Sequence, residues 1–185
     1  MKLLFHICCA PCSVYPVQEL RAEGIEPTGY FFNHNIHPYQ EYRKRLDTVR
    51  QYAEHAGLEV IYRDSYRLEE FLSAVAGEPA ARCSYCYTSR LAAAAAAAVE
   101  HGCGAFSTSL LYSRYQQHDL IRAVGEELAA QHGITFLYRD FRRGWNKGIT
   151  LSKELGLYRQ QYCGCIYSER DRYAGASSAA VERVA

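Results

Sequence analysis

The sequence contains no apolar run approaching the about 18 residues that a membrane-spanning helix needs. Its opening residues, Met1-Lys2-Leu3-Leu4-Phe5-His6, hold too short an apolar stretch for a secretory signal. Nor is there an excess of either charge: 21 Lys and Arg face 20 Asp and Glu, a formal net of +1, so bulk electrostatics select no partner. These absences predict a soluble cytoplasmic protein with no membrane association. At 185 residues one hydrophobic core suffices, and the reading is a single domain over residues 1–173 with a frayed tail over 174–185, where large apolar groups are scarce.

What the chain has in plenty is cysteine, eight in all. In a reducing compartment such residues are expected as thiols, and clusters of them point to metal or redox work. Charge, balanced in total, is uneven along the chain. Between Arg139 and Arg172 eight basic residues face four acidic ones, which leaves 13 against 16 elsewhere. A basic face on an acidic body suits a polyanion, although a solvated face without a partner has the same pattern.

Apolar runs of strand length alternate with longer helical patterns, which predicts an α/β fold with a mostly parallel sheet and helices on both faces. Strands are expected over residues 2–7, 28–32, 58–62, 104–107 and 134–138, and helices near 14–23, 38–56, 68–76, 84–101 and 115–132. Gly24, Gly57, Gly102 and Gly133 stand where helices give way to strands and fit left-handed caps. Ala92 to Ala98 form a run that favours a helix able to lie close against its neighbours. In such sheets ligands bind beyond the carboxyl ends of the strands. That edge collects Cys8, Cys9 and Cys12, then Asn33-His34-Asn35, Asp64, Thr108-Ser109 and the segment Arg142-Arg143-Gly144-Trp145, which holds the only tryptophan.

Seven cysteines fall into three groups: Cys8, Cys9 and Cys12; Cys83 and Cys86; Cys163 and Cys165. Cys103, alone at a strand entrance, reads as a buried apolar residue. Cys83-Ser84-Tyr85-Cys86 opens a helix, whose N-terminus stabilises thiolate charge. With Cys8 and Cys9 it makes a four-thiolate constellation from two loops of one edge. A structural zinc would accept four thiolates. The divergent directions of adjacent Cys8 and Cys9 suit an iron–sulfur cluster better. Cys163-Gly164-Cys165 could close a small strained ring that is easily reduced, supply further metal ligands, or hold two inert thiols.

The segments "HICCAPC", "NHNIHPYQEYRKR", "RCSYCYTSRL", "FSTSLLYSRYQQHDLI" and "FRRGWNKGITLSKELGLYRQQYCGCIYS" together resemble the epoxyqueuosine reductase QueH family over about residues 3–170. The resemblance implies a Rossmann-like fold of the HUP (adenine nucleotide alpha hydrolase-like) kind. It implies reduction of epoxyqueuosine to queuosine at the wobble position of tRNA, the last step of queuosine biosynthesis. Thiols replace the phosphate-cradling loop after the first strand, which speaks against ATP use and against an ATP-dependent tRNA thiolase. The matching positions imply Cys8, Cys9, Cys83 and Cys86 as ligands of a [4Fe–4S] cluster and Cys163 with Cys165 as a redox-active disulfide pair. Cys12 either ligates a second metal ion, with iron the candidate, or stands near the cluster. A low-potential electron donor and a tRNA carrying epoxyqueuosine in its anticodon loop are the implied partners. Arg114, Tyr115, Arg142, Arg143, Trp145 and Lys147 are expected on the RNA side. His6, His34, His37, Asp64 and Tyr112 are the candidate proton donors. The rival class is a zinc-stabilised RNA-binding module without catalysis.

Overall fold

A computed structural model of the chain describes residues 2–174; the tail expected from 174 onward lies, from residue 175, outside them. Five strands, β1 (Leu3–His6), β2 (Pro27–Phe31), β3 (Val60–Tyr62), β4 (Ala105–Thr108) and β5 (Thr135–Phe136), form one sheet in the order β3-β2-β1-β4-β5. Every pairing is parallel, with His6 opposite both Tyr30 and Thr108. All four residues of β1 are buried, as a strand covered on both faces must be.

The helices are α1 (Val14–Ala22), α2 (Tyr39–Ala56), α3 (Leu68–Val75), α4 (Arg82–Glu100), α5 (His118–His132), α6 (Trp145–Glu154) and α7 (Ile166–Tyr173). Helix α4 carries the alanine run and packs closely on α5, with Ala94, Ala95 and Ala98 wholly buried; α1 packs on α6. The four glycines expected as caps all have positive φ, between 57° and 77°.

Two expectations are corrected. The helix predicted from residue 115 begins at His118, because Tyr115 N bonds Ser113 Oγ at 3.2 Å and Gln117 N bonds the Tyr87 hydroxyl at 3.2 Å, holding 113–117 as a loop. The segment after β5 is a 3-10 turn, Phe141–Gly144, that runs straight into α6. Glycine makes this possible. A Cβ on Gly144 would lie 2.0 Å from the Tyr15 ring, and one on Gly148 2.3 Å from the Tyr112 hydroxyl oxygen, so this segment can sit directly over both tyrosines.

Candidate active site

The chain leaves β1 for β2 on one side, and β4 takes the place on the other side of β1, so the strand order reverses between β1 and β4. A crevice opens at such a point. Cys8 enters it from β1 and Ser109 from β4, and the two are joined: Cys8 N donates to Ser109 Oγ at 2.9 Å, while the Ser109 hydroxyl donates to Cys8 Sγ at 3.2 Å. Cys8, Cys9 and Cys12 bring their sulfurs within 4.8 Å of one another, with Cys8 and Cys9 3.7 Å apart. Gln160 donates to Cys9 Sγ at 3.0 Å and to Cys12 Sγ at 3.4 Å.

The trio divides by charge. Hydrogen bonds from the Cys12 and Cys9 thiols, aided by Ser109 and Arg90, hold Cys8 well below the ordinary thiol range. Burial pushes Cys9 upward, and Cys12 rises chiefly because it donates toward Cys8. Cys8 is thus the sulfur of the trio most readily deprotonated, which favours metal capture, since metals take the deprotonated sulfur.

Cys83 and Cys86 lie in the first turns of α4, where unpaired backbone N–H groups favour anionic sulfur. Neither joins the trio within 4.8 Å. Burial pushes Cys86 up to about 12 and raises Cys83 as well. The Arg90 guanidinium, one turn along α4, donates to Cys86 Sγ at 2.9 Å.

The third thiol group is carried by a loop fastened from below. Arg45 Nη1 donates to the Cys163 carbonyl at 2.7 Å and Nη2 to the Tyr162 carbonyl at 3.0 Å, while Nε pairs with Glu41 at 2.7 Å. His37 N donates to the Gly164 carbonyl at 2.8 Å. Gly164, at φ 149°, occupies backbone space that other residues rarely enter. The bond expected between Cys163 and Cys165 is not formed here, and both are free thiols. Cys163 accepts from Gln116 Nε2 at 3.3 Å, and Cys165 Sγ turns instead to the Ser168 N–H at the start of α7.

These parts surround one cavity of about 670 Å³. Cys8, Cys12, Arg90 and Cys163 line it, together with Tyr112, Tyr115, Trp145, Arg159, Gln160 and Arg172. A volume of this size suits a small ligand or a single extruded nucleotide. Of the five candidate proton donors only Tyr112 faces it. Its hydroxyl donates to the Trp145 carbonyl at 2.8 Å, and burial raises it above the ordinary phenol value. His6 is wholly buried between Thr108 Oγ1 and the Phe32 carbonyl and is pushed down to about 4 by burial. His34 and His37 are buried among aromatic rings. Asp64 is spent on Tyr42, Arg43 and Arg50.

The six residues expected on the RNA side divide into two sets. Trp145 stacks on Tyr112 with ring centroids 5.2 Å apart, Tyr115 meets its edge at 5.8 Å, and the Arg114 guanidinium lies 5.6 Å from its centre. This set borders the cavity. Arg142 is instead bound to Asp140 at 2.6 Å, while Arg143 and Lys147 approach Glu19 at 3.2 and 4.0 Å. Sequence reasoning did not single out Arg45, Arg90, Gln116, Arg159, Gln160 or Arg172. The only signal for the last three was their place in the basic C-terminal third.

Cys103 is buried near a strand entrance, as expected, away from the thiol groups. No helix among the described residues is long and apolar enough to cross a membrane.

The sequence model of the family described as Epoxyqueuosine reductase QueH matches residues 3–171. Curated relatives of that name include one from Dehalococcoides mccartyi, 38% identical over 179 residues and covering 97% of this chain and 98% of its own. One from Thermotoga maritima is 36% identical over 180 residues, covering 92% and 91%. Among solved structures, the predicted subunit of a tRNA methyltransferase from Methanocaldococcus jannaschii superposes with a TM-score of 0.51 at 14% identity, covering 82% of this chain and 75% of that one. That likeness concerns the fold alone, and it agrees with a Rossmann-like α/β sheet.

Proposed function

This chain belongs to the epoxyqueuosine reductase QueH family, and from that premise we propose that it reduces epoxyqueuosine to queuosine in tRNA, working in the cytoplasm. Turning an epoxide into an alkene takes two electrons and two protons and releases water. The observation that carries the reading is the Cys8, Cys9 and Cys12 trio at the strand switch point, where Cys8 and Cys12 share one cavity with Cys163 from the far end of the chain.

The donor set fits sulfur-ligated iron: several thiols, with Cys8 the most readily deprotonated of its trio, and an arginine rather than a carboxylate beside them. Cys8, Cys9, Cys83 and Cys86 would hold a [4Fe–4S] cluster. A multi-iron centre, whose ligands attach to different irons, does not need all four sulfurs within 4.8 Å of one another, and Cys83 and Cys86 stand outside the 4.8 Å trio. Cys12, beside Cys8 and Cys9, would bind a second metal ion. Such a centre, when bound, supplies electrons singly from an external low-potential donor, and a second metal adds Lewis acidity.

The chain's own residues do the rest. Cys163 and Cys165 provide a two-electron store whose backbone Arg45 and His37 hold in place. Trp145 and Tyr115 offer aromatic faces to an extruded base. Arg114, Arg159 and Arg172 are exposed, border the cavity or its aromatic rim, and have no carboxylate partner among the described residues, which suits phosphate contacts. Tyr112 keeps its proton and lines the cavity, and turning its hydroxyl away from the Trp145 carbonyl would present that proton to the epoxide oxygen.

The test is an anaerobic assay of the chain reconstituted with iron and sulfide, given tRNA that carries epoxyqueuosine and a chemical reductant, followed by nucleoside mass analysis. Loss of one oxygen atom from the modified nucleoside is expected. An unchanged nucleoside, from a protein that retains zinc and no iron, would favour the non-catalytic RNA-binding module.

A further inference from the structure

Two arginines are almost wholly buried, and their surroundings differ. Arg45, 1% exposed, has a carboxylate partner in Glu41 and two backbone carbonyls, so each nitrogen of its fork is occupied. Arg90, 2% exposed, has no carboxylate partner among the described residues. Among the described residues its hydrogen bonds run only to Cys86: Nε to the carbonyl at 3.1 Å and Nη2 to the sulfur at 2.9 Å. Arginine does not give up its proton in a protein. A permanent charge taken out of water needs an opposite charge close by, or its burial is strongly unfavourable.

The groups around Arg90 that can become anionic are mainly sulfur. Cys86 touches it, and Cys8 and Cys163 line the same cavity. These three come from α4, from the loop after β1 and from the C-terminal loop, so the guanidinium touches one thiol group and shares a cavity with the other two.

We infer that Arg90 is a positioning residue that serves as the buried counter-charge of the sulfur centre, favouring its more negative, reduced form. This rests on the reading that the thiols hold an iron–sulfur centre. A fixed cation beside such a centre stabilises the added electron and so moves the reduction potential upward. It also offsets the repulsion among thiolates drawn from three segments.

The experiment compares the full chain with Arg90→Gln and Arg90→Lys after anaerobic reconstitution, measuring iron and sulfide per chain and the midpoint potential by mediated titration followed by electron paramagnetic resonance. Far-UV circular dichroism of the metal-free chains checks folding. Arg90→Gln should fold, and its potential should move to more negative values or its iron content should fall, while Arg90→Lys, which keeps the charge, stays closer to wild type. Wild-type iron content and potential in Arg90→Gln would overturn the inference, and weaker tRNA binding as the only change would assign Arg90 to substrate. Failure of both variants to fold would overturn it in favour of a packing role. A wild-type chain that assembles no iron–sulfur centre would instead sink the underlying reading, and this inference with it.

Discussion

His37 is wholly buried, and neither of its ring nitrogens has a hydrogen-bond partner among the described residues. Its ring packs against Phe71, with centroids 4.9 Å apart, and against the edge of Tyr66. Burial pushes it down to about 4, and His34 nearby, bonded through Nε2 to Ser89 Oγ, down to about 3. Both are therefore neutral in the fold, whereas the unfolded chain protonates them from about pH 6.5 downward. Between roughly pH 6.5 and 4 the unfolded state binds more protons. Stability is thus full above pH 6.5 and falls on acidification through that window, by up to about 1.4 kcal/mol per pH unit for each residue. Denaturant unfolding across this range should show that slope, and His37→Phe should flatten it by about one histidine's share. Equal slopes in the two proteins would show that His37 carries a proton in the fold. At this scale the thiols were legible in the sequence, because few roles suit clustered cysteines in a reducing compartment. Arg90, Arg45 and Gln160 were not. Nothing in an arginine's neighbours along the chain says that it will be buried, and only the fold brings Gln160 to Cys9, 151 positions away.

At the scale of elements, the catalytic rim depends on how α6 begins. Gly144 and Gly148 let this helix rest on Tyr15 and Tyr112, and that close approach sets Trp145 in its stack beside the cavity. The sequence marks the first five helices by apolar spacing, and four of them by glycine caps. It gives little sign of α6, which contains the poor helix formers Gly148 and Thr150, or of α7, which has no buried residue and hence no apolar stripe. The same geometry ranks the basic residues. Arg142, Arg143 and Lys147 are engaged with Asp140 and Glu19, while Arg159 and Arg172 line the cavity. Trp145→Ala should weaken binding of epoxyqueuosine tRNA by about 1–3 kcal/mol, the range for loss of one stacked base. Arg159→Glu should weaken it and lower the salt dependence, and Arg142→Glu should do so less. Binding by filter retention at several salt concentrations checks the order. A larger loss from Arg142→Glu than from either of the others would move the RNA path toward the segment after β5.

Across the whole molecule, the parallel sheet with β1 at its centre explains why cysteines from opposite ends of the chain meet. The βα alternation in the sequence was enough to predict the parallel sheet and the edge where ligands bind. The tight grouping of Cys12 with Cys8 and Cys9, and the cavity shared with Cys163, depend on the turn after β1 and on the clamp of Arg45, Glu41 and Tyr158 under the C-terminal loop. The most direct measurement is anomalous X-ray diffraction at the iron and zinc edges, on crystals of the chain reconstituted anaerobically. Four iron peaks bounded by Cys8, Cys9, Cys83 and Cys86 are the expected result. A lone zinc peak within the Cys8, Cys9 and Cys12 trio, with Cys83 and Cys86 unattached, would contradict the account.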